Sequence, residues 1–295
     1  MKRNLVTLGT FDGVHLGHLK LLASLKAAAR RRGLRTLVAL FEEPPKSFFL
    51  SRPVPLLTTA LERKNLLKAV GIDEVRVLRF DARLAKTSHS KFLASYLLGR
   101  CRAAGLVVGP DFAFGRGRHG GLAFLKEACR RRGLLFAAAP LVRSGEAKVS
   151  SSRIRDLLQR GKVAEAARLL GRPYLLSGPV TRGRGLGARI GIPTANIQPD
   201  PRLLLPRGVF AVCVQGGPFR KPRIGVCNIG TRPTLDATGS GVSVEVHVPG
   251  HSGELYGRRL SVGFLRFIRG ERRFPSVEAL LERIRKDIAS ALRAG

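Results

Sequence analysis

The spacing of apolar residues changes character partway along this 295-residue chain. Up to about residue 170, short continuous apolar runs alternate with stretches in which apolar residues recur every three or four positions. The runs at 5–11, 34–41, 74–80, 105–108 and 134–140 predict buried strands, and the periodic stretches at 16–32, 59–70, 90–103 and 121–132 predict helices. Such alternation implies an α/β fold with a parallel sheet covered by helices on both faces. In that architecture ligands bind beyond the carboxyl ends of the strands. A hydroxyl-rich helix start follows at Ser150-Ser151-Ser152, and a short helix is expected at 163–170.

From about Tyr174 glycine and proline become frequent and the apolar runs shorten, at 174–181, 209–215, 223–228, 242–248 and 259–267. Short strands with frequent turn signals predict an antiparallel sandwich or closed barrel. Pro275-Ser276 then opens a terminal helix with one apolar stripe, Val277, Leu280, Leu281, Ile284, Ile288 and Leu292. The pattern therefore divides the chain into two domains, 1–172 and 173–295.

The first predicted strand runs into Gly9-Thr10-Phe11-Asp12-Gly13-Val14-His15-Leu16-Gly17-His18. His15 and His18 stand three apart and share one face of the first turn of the following helix. Bare backbone N–H groups and the positive end of the helix dipole lie at the same place. Imidazoles, N–H groups and glycines together make a cradle for a nucleotide triphosphate. This arrangement resembles the signature of the HxGH nucleotidyltransferase superfamily, which has a Rossmann-like fold. Its members join a nucleotide to a phosphate or carboxylate and release pyrophosphate.

Composition narrows the partners. The chain carries 53 Lys and Arg against 20 Asp and Glu, a net charge of +33. Nucleic-acid binding is one reading of that excess. Placement points elsewhere. Arg30-Arg31-Arg32-Gly33 and Arg130-Arg131-Arg132-Gly133 each close a predicted helix, which is ordinary helix-stop chemistry. Aromatics are only 6%, too few for base-stacking platforms. No specific nucleic acid is expected, only non-specific binding at low salt. Four cysteines without a Cys-x-x-Cys pair predict buried free thiols. No apolar run reaches the roughly 18 residues of a membrane span. The chain enters its first strand without the apolar core of a signal peptide, so the expected compartment is the cytoplasm. The expected state is a monomer or weak oligomer.

Four further constellations carry chemistry. Gly109-Pro110-Asp111-Phe112-Ala113-Phe114-Gly115 follows the fourth strand and offers Asp111 to a polar ligand group. The overlapping Gly115-x-Gly117-x-x-Gly120 fits a dinucleotide fingerprint, but no acidic residue stands about 20 positions on to hold a ribose, so that reading is rejected. Ser151, Ser152, Arg153 and Arg155 crowd hydroxyls and guanidiniums at a helix start, which suits phosphate. In the second domain, the segment from Gly183 to Ile197 carries Gly185, Gly187 and Gly191 for close approach to phosphate oxygens. Within it, Thr194 and Asn196 alternate as two oxygen ligands for a hard cation such as Mg²⁺. In Val242–Val248, Glu245 shares a face with Ser243 and His247, where a carboxylate could serve as general base. His247 itself reads as surface.

Taken together, these motifs resemble the prokaryotic bifunctional riboflavin kinase/FMN adenylyltransferase family, nearly end to end. Further matches lie at Leu170-Gly171-Arg172-Pro173-Tyr174, Gly208-Val209-Phe210-Ala211-Val212, Asn228-Ile229-Gly230-Thr231-Arg232-Pro233-Thr234 and Leu255-Tyr256-Gly257. Pro193-Thr194-Ala195-Asn196 in a glycine-rich frame is highly specific for the kinase module. The resemblance implies ATP-dependent phosphorylation of riboflavin to FMN in a C-terminal barrel, with Thr194 and Asn196 on Mg²⁺ and Glu245 as base. It implies adenylylation of FMN by a second ATP in the N-terminal domain. There His15 and His18 would stabilise charge. Gly9 to Gly13, Ser151, Ser152, Arg153 and Arg155 would hold ATP, and Asp111 and Phe112 the flavin. Three departures stand out. Phe41-Glu42-Glu43-Pro44-Pro45 replaces the family's Phe-x-Pro-His-Pro, Ala188 stands where arginine is usual, and an acidic pair is reduced to Glu254. Two alternatives remain at this point: a riboflavin kinase with weak adenylyl transfer, which would accumulate FMN, and a basic nucleic-acid-binding protein on this scaffold, whose binding would survive physiological salt.

Overall fold

The computed structural model describes residues 3–50, 53–183, 187, 190–231 and 241–293. The chain forms two compact units, Met1–Ser151 and Ser152–Gly295. The first holds the parallel sheet, built from β1 (Asn4–Gly9), β2 (Arg35–Phe41), β3 (Glu74–Leu78), β4 (Ala103–Val108) and β5 (Leu135–Ala138) in the order β3-β2-β1-β4-β5. Its strands are near-continuous apolar runs because both faces are covered. Leu5, Val38, Leu40 and Val107 face α1 (Leu16–Arg31) and α2 (Ala60–Ala69). Val6, Leu8, Leu37, Ala39, Leu106 and Val108 face the opposite layer. That layer is α3 (His89–Phe92), which runs on as one π-helical stretch to Arg100, and α4 (Leu122–Arg131).

The strand order reverses between β1 and β4, so the loops leaving these two neighbours splay apart at their carboxyl ends. The crevice between them is where such sheets take ligands. The helix expected over 90–103 ends at Arg100, and 103 already belongs to β4. Apolar residues from Cys101 onward continue the pattern but are buried as strand, and Arg102, at φ 51°, makes the turn between. A small hairpin, β6 (Arg143–Ser144) with β7 (Ala147–Lys148), has no apolar signature.

In the second unit, helices α5 (Ser151–Gln159, beginning at the last residue of the first unit) and α6 (Val163–Leu170) precede a closed antiparallel barrel. Its strands are β8 (Tyr174–Thr181), β9 (Ala195–Ile197), β10 (Gly208–Gly216), β11 (Phe219–Thr231), β12 (Val242–His247) and β13 (Arg259–Arg269). Closure leaves no edge strand. Phe210, Val212, Cys227, Ile229 and Phe264 are fully buried. The alternate residues Val209, Ala211, Ile224, Val226 and Ile268 pack under Ile288 and Ala291 of the terminal α7 (Val277–Leu292).

The apolar stripe on α7 is only partly used. Val277 and Leu292 are exposed, because the barrel wall runs out before the helix ends do. In the middle of the helix the buried residue is Asp287, which accepts from Arg269 Nε at 2.8 Å and Arg283 Nε at 3.0 Å. No disulfide joins the four cysteines; Cys101, Cys129 and Cys227 are buried and Cys213 half-buried.

Candidate active sites

The histidine motif occupies the turn between β1 and α1. Phe11 and Val14 adopt φ of 51° and 40°, and Gly13 lies at 80°, so three residues in four sit in left-handed backbone. The turn is closed by the Val14 N–H donating to the Phe11 carbonyl at 2.9 Å. His15 caps α1: its Nδ1 accepts from the His18 N–H at 3.3 Å. In neutral His15 the proton therefore sits on Nε2, ready to donate. The His15 and His18 rings stack at 3.7 Å between centroids, tilted 14°, and Phe11 closes against His18 at 5.0 Å. A side chain at Gly17 would place its Cβ 3.0 Å from the His15 ring, so the glycine between the histidines is what lets them meet. Burial, then electrostatic coupling to the His15 imidazole and the Arg63 guanidinium, hold His18 well below the ordinary histidine range. His18 Nδ1 is buried and has no hydrogen-bond partner among the described residues.

The other residues of this turn divide by direction. Phe11 belongs to the apolar core and Asp12 is buried. The Asp12 carboxylate accepts from the N–H groups of Leu57 and Thr58 at 3.0 and 3.1 Å, and Thr58 Oγ1 accepts from the Gly13 N–H at 2.9 Å. The backbone, rather than these two side chains, is what the turn offers a ligand. Ser151 Oγ donates to the Asp12 carbonyl at 2.8 Å, so this predicted residue stands at the motif. Ser152, Arg153 and Arg155 belong to the second unit, where Arg155 is buried. Sequence reasoning missed Arg63, whose buried guanidinium donates to the carbonyls of Thr10, Phe41, Glu42 and Thr59. The available signal was an arginine one turn before Leu67 on the buried stripe of α2.

After β4, Phe112 stacks on Phe114 at 5.6 Å, and Asp111 forms an exposed ion pair with Lys148. The Gly115–Gly120 segment is a tight turn bridged from Phe114 to Gly120 and packed on His89, not a dinucleotide loop. Beyond β2, residues Pro45–Phe49 form a 3₁₀ turn, and the rings of Phe41, Phe48 and Phe49 contact Phe80 edge-on.

In the barrel, strand register assembles the second site. Glu245 on β12 lies directly opposite Asn228 on β11 and Asn196 on β9, and Asn196 lies opposite Thr181 on β8. Four polar residues from four strands thus form one row. The Glu245 charge, added to burial, pushes the Cys227 thiol up. His247 is not merely surface: its Nδ1 lies 2.8 Å from the Pro193 carbonyl and ties β12 to the segment carrying Thr194.

A Cβ on Gly183 would lie 2.1 Å from the Asn196 amide, and one on Gly187 would lie 3.1 Å from Thr194 Oγ1. The glycine frame thus closes directly over the two predicted oxygen ligands. Gly191 turns at φ 76°. Gly185, with Arg184, Leu186, Ala188 and Arg189, lies outside the described residues, as do Arg232, Pro233 and Thr234. Sequence reasoning also missed Glu271, which accepts from the Thr231 N–H at 3.1 Å.

Comparison with known proteins assigns each half of the chain to a family. The FAD synthetase family model matches residues 1–153 and the riboflavin kinase model residues 170–294. Two bifunctional riboflavin kinase/FMN adenylyltransferases, from Escherichia coli K12 and Pseudomonas fluorescens, are each 38% identical over 97% of this chain and 91% of their own. A crystal structure from Streptococcus pneumoniae, solved under the name macrolide-efflux protein, superposes with a TM-score of 0.87 at 30% identity, covering 97% of this chain and 92% of that one. Among the described residues no helix is long and apolar enough to cross a membrane. With both family models matched in order and its relatives aligned over nearly their whole length, the chain belongs to the bifunctional riboflavin kinase/FMN adenylyltransferase family.

Proposed function

We propose that the barrel phosphorylates riboflavin to FMN and that the His15–His18 corner adenylylates FMN to FAD. Domains of 1–172 and 173–295 would carry the two steps in the cytoplasm. One observation carries the reading for the first domain: two stacked, partly desolvated imidazoles sit over a helix N-terminus at the point where the strand order reverses. In adenylyl transfer a phosphate oxygen of FMN attacks the α-phosphorus of ATP, one P–O bond forms, and the α–β bridge breaks to release pyrophosphate. No side chain needs to form a covalent bond. His15 Nε2–H, His18 and the N–H groups of the turn stabilise the charge that develops. Ser151 serves the phosphates, and Asp111 and Phe112 the flavin.

In the barrel, Glu245 takes the proton of the ribityl 5′-hydroxyl as its oxygen attacks the γ-phosphorus of ATP, and the β–γ bridge breaks to release ADP. Thr194 and Asn196 would hold Mg²⁺. They are hard neutral oxygen donors in a glycine cradle and leave the remaining positions to phosphate and water. When bound, the ion would neutralise phosphate charge. The replacement at Glu43-Pro44 leaves the backbone of this stretch anchored, with the Glu42 N–H donating to Leu78 and its carbonyl accepting from Arg63.

The test is a product analysis with riboflavin, ATP and Mg²⁺. FMN appearing before FAD is expected, and His18→Ala should stop the sequence at FMN. FMN alone from the wild-type chain would sink the adenylyl half of this reading, and unchanged riboflavin the kinase half.

A further inference from the structure

We propose that Arg63 is a positioning residue for adenylyl transfer, a buried clamp that joins the carboxyl ends of β1 and β2 to the start of α2. The proposal rests on the assignment of that reaction to the His15–His18 corner. Arg63 is completely buried. Its Nη1 donates to the carbonyls of Thr10 at 2.7 Å and Phe41 at 3.0 Å, its Nη2 to Glu42, and its Nε to Thr59 at 3.3 Å. Thr10 begins the histidine turn, and Phe41 and Glu42 are where the neighbouring strand ends. One rigid guanidinium thus ties the carboxyl ends of β1 and β2 to α2, on the side of β1 away from β4.

Packing alone does not call for this residue. Arg63 stands on the apolar stripe of α2 one turn before the buried Leu67, where a leucine or methionine would serve the core without burying a charge. What an apolar residue cannot do is hold four carbonyls in a fixed fan, and a lysine ammonium lacks the planar fork to do so. The turn needs such a hold. Phe11 and Val14 lie in left-handed backbone, which persists only where the surroundings over-determine it. Asp12 supplies one restraint through Leu57 and Thr58, and Arg63 a second through the Thr10 carbonyl. Both come from the segment that leads into and forms α2.

The clamp also carries a permanent charge. The groups acting on His18 are the His15 ring, the Phe11 ring and the Arg63 guanidinium, and after burial the coupling to His15 and the permanent charge of Arg63 keep its proton off. The same charge raises the positive potential where triphosphate would lie.

The experiment uses the full chain, whose riboflavin phosphorylation is an internal control. Arg63→Met and Arg63→Lys are assayed for FMN formation from riboflavin, for FAD formation from FMN, and for thermal unfolding. For Arg63→Met, FAD formation should fall 10- to 100-fold in kcat with little change in KM for ATP, because misplacement is felt mainly in the transition state. FMN formation should stay within twofold. The limb of the pH profile of kcat/KM set by His18 should move to higher pH, since a cation near it is gone. Arg63→Lys should leave that limb in place while still losing at least tenfold in kcat.

Should Arg63→Met fail to fold, Arg63→Lys decides: wild-type kcat overturns the clamp, and a tenfold loss in a folded chain supports it. FAD formation within twofold of wild type in Arg63→Met, or a loss with the pH limb unmoved, also overturns it. His18→Ala separates the two levels. If that variant keeps FAD formation, the site assignment fails and takes the proposal with it; if it loses FAD formation while Arg63→Met does not, the role of Arg63 alone fails.

Discussion

The two halves of this chain build phosphate chemistry in opposite ways. In the first, the groups proposed to act leave a turn beyond the strand ends, contiguous in sequence from Gly9 to His18, and the fold's task is to hold that turn rigid. In the second, Thr181, Asn196, Glu245 and Asn228 come from four strands and meet only because antiparallel register lines them up. The first site therefore depends on restraints from beneath, Asp12 and Arg63, and the second on correct strand pairing. A local motif is legible as chemistry before any fold is known, whereas a register-built row is legible only as separate polar positions.

The difference can be broken one half at a time. Glu245→Gln removes the base and should lower riboflavin phosphorylation by about 10²- to 10⁴-fold while added FMN is still converted to FAD. Loss of both activities would mean that the halves are not chemically separable. His18→Ala should lower FAD formation by about 10²-fold with the kinase intact, read as FMN accumulating from riboflavin. Asp287→Ala tests packing in the second half alone. It leaves two guanidiniums facing each other without their shared acceptor, at a cost of about 3 kcal/mol. The barrel's unfolding transition should drop by roughly 10 °C and the other unit's should not move.

Gly17→Ala is a subtler probe of the first half, because the added methyl meets the His15 ring at about 3 Å. FAD formation should fall about tenfold in a chain of unchanged melting temperature, the scale expected for a misplaced catalytic group.

The smallest effect is on pH and stability. The native pKa of His18 lies well below the unfolded value of 6.5. Below about pH 6.5 the unfolded chain therefore binds a proton that the native one does not, and stability of the first unit falls as pH drops toward the native pKa. His18→Asn should flatten that decline between pH 7 and 5 in thermal scans, and an unchanged slope would remove His18 from the account.

Much of both folds was readable from period alone. The five parallel strands lie within about two residues of the predicted runs, since burial on both faces makes the central ones near-continuous apolar stretches, although edge strand β3, Glu74–Leu78, has no buried residue. Residues 195–197 form a strand that sequence reasoning missed, because three residues carry no usable alternation. The helix expected over 90–103 ends earlier, at Arg100, because Arg102 at φ 51° turns the chain, a backbone conformation that no apolar spacing marks. Among the site residues, Asp12 belongs to the motif by sequence, yet its carboxylate turns inward to Leu57 and Thr58, 45 and 46 positions away.

The amino-acid order alone marked the residues proposed to carry the chemistry: the two histidines, the Pro193–Asn196 stretch and Glu245 each stand in a short, recognisable setting. Tertiary structure alone decided what holds them. Arg63 under the histidine turn, Asn228 beside Glu245, His247 on Pro193 and Glu271 on Thr231 act across 17 to 54 positions of chain. Their partners are mostly backbone carbonyls and N–H groups, which every residue possesses and no pattern of side chains can mark.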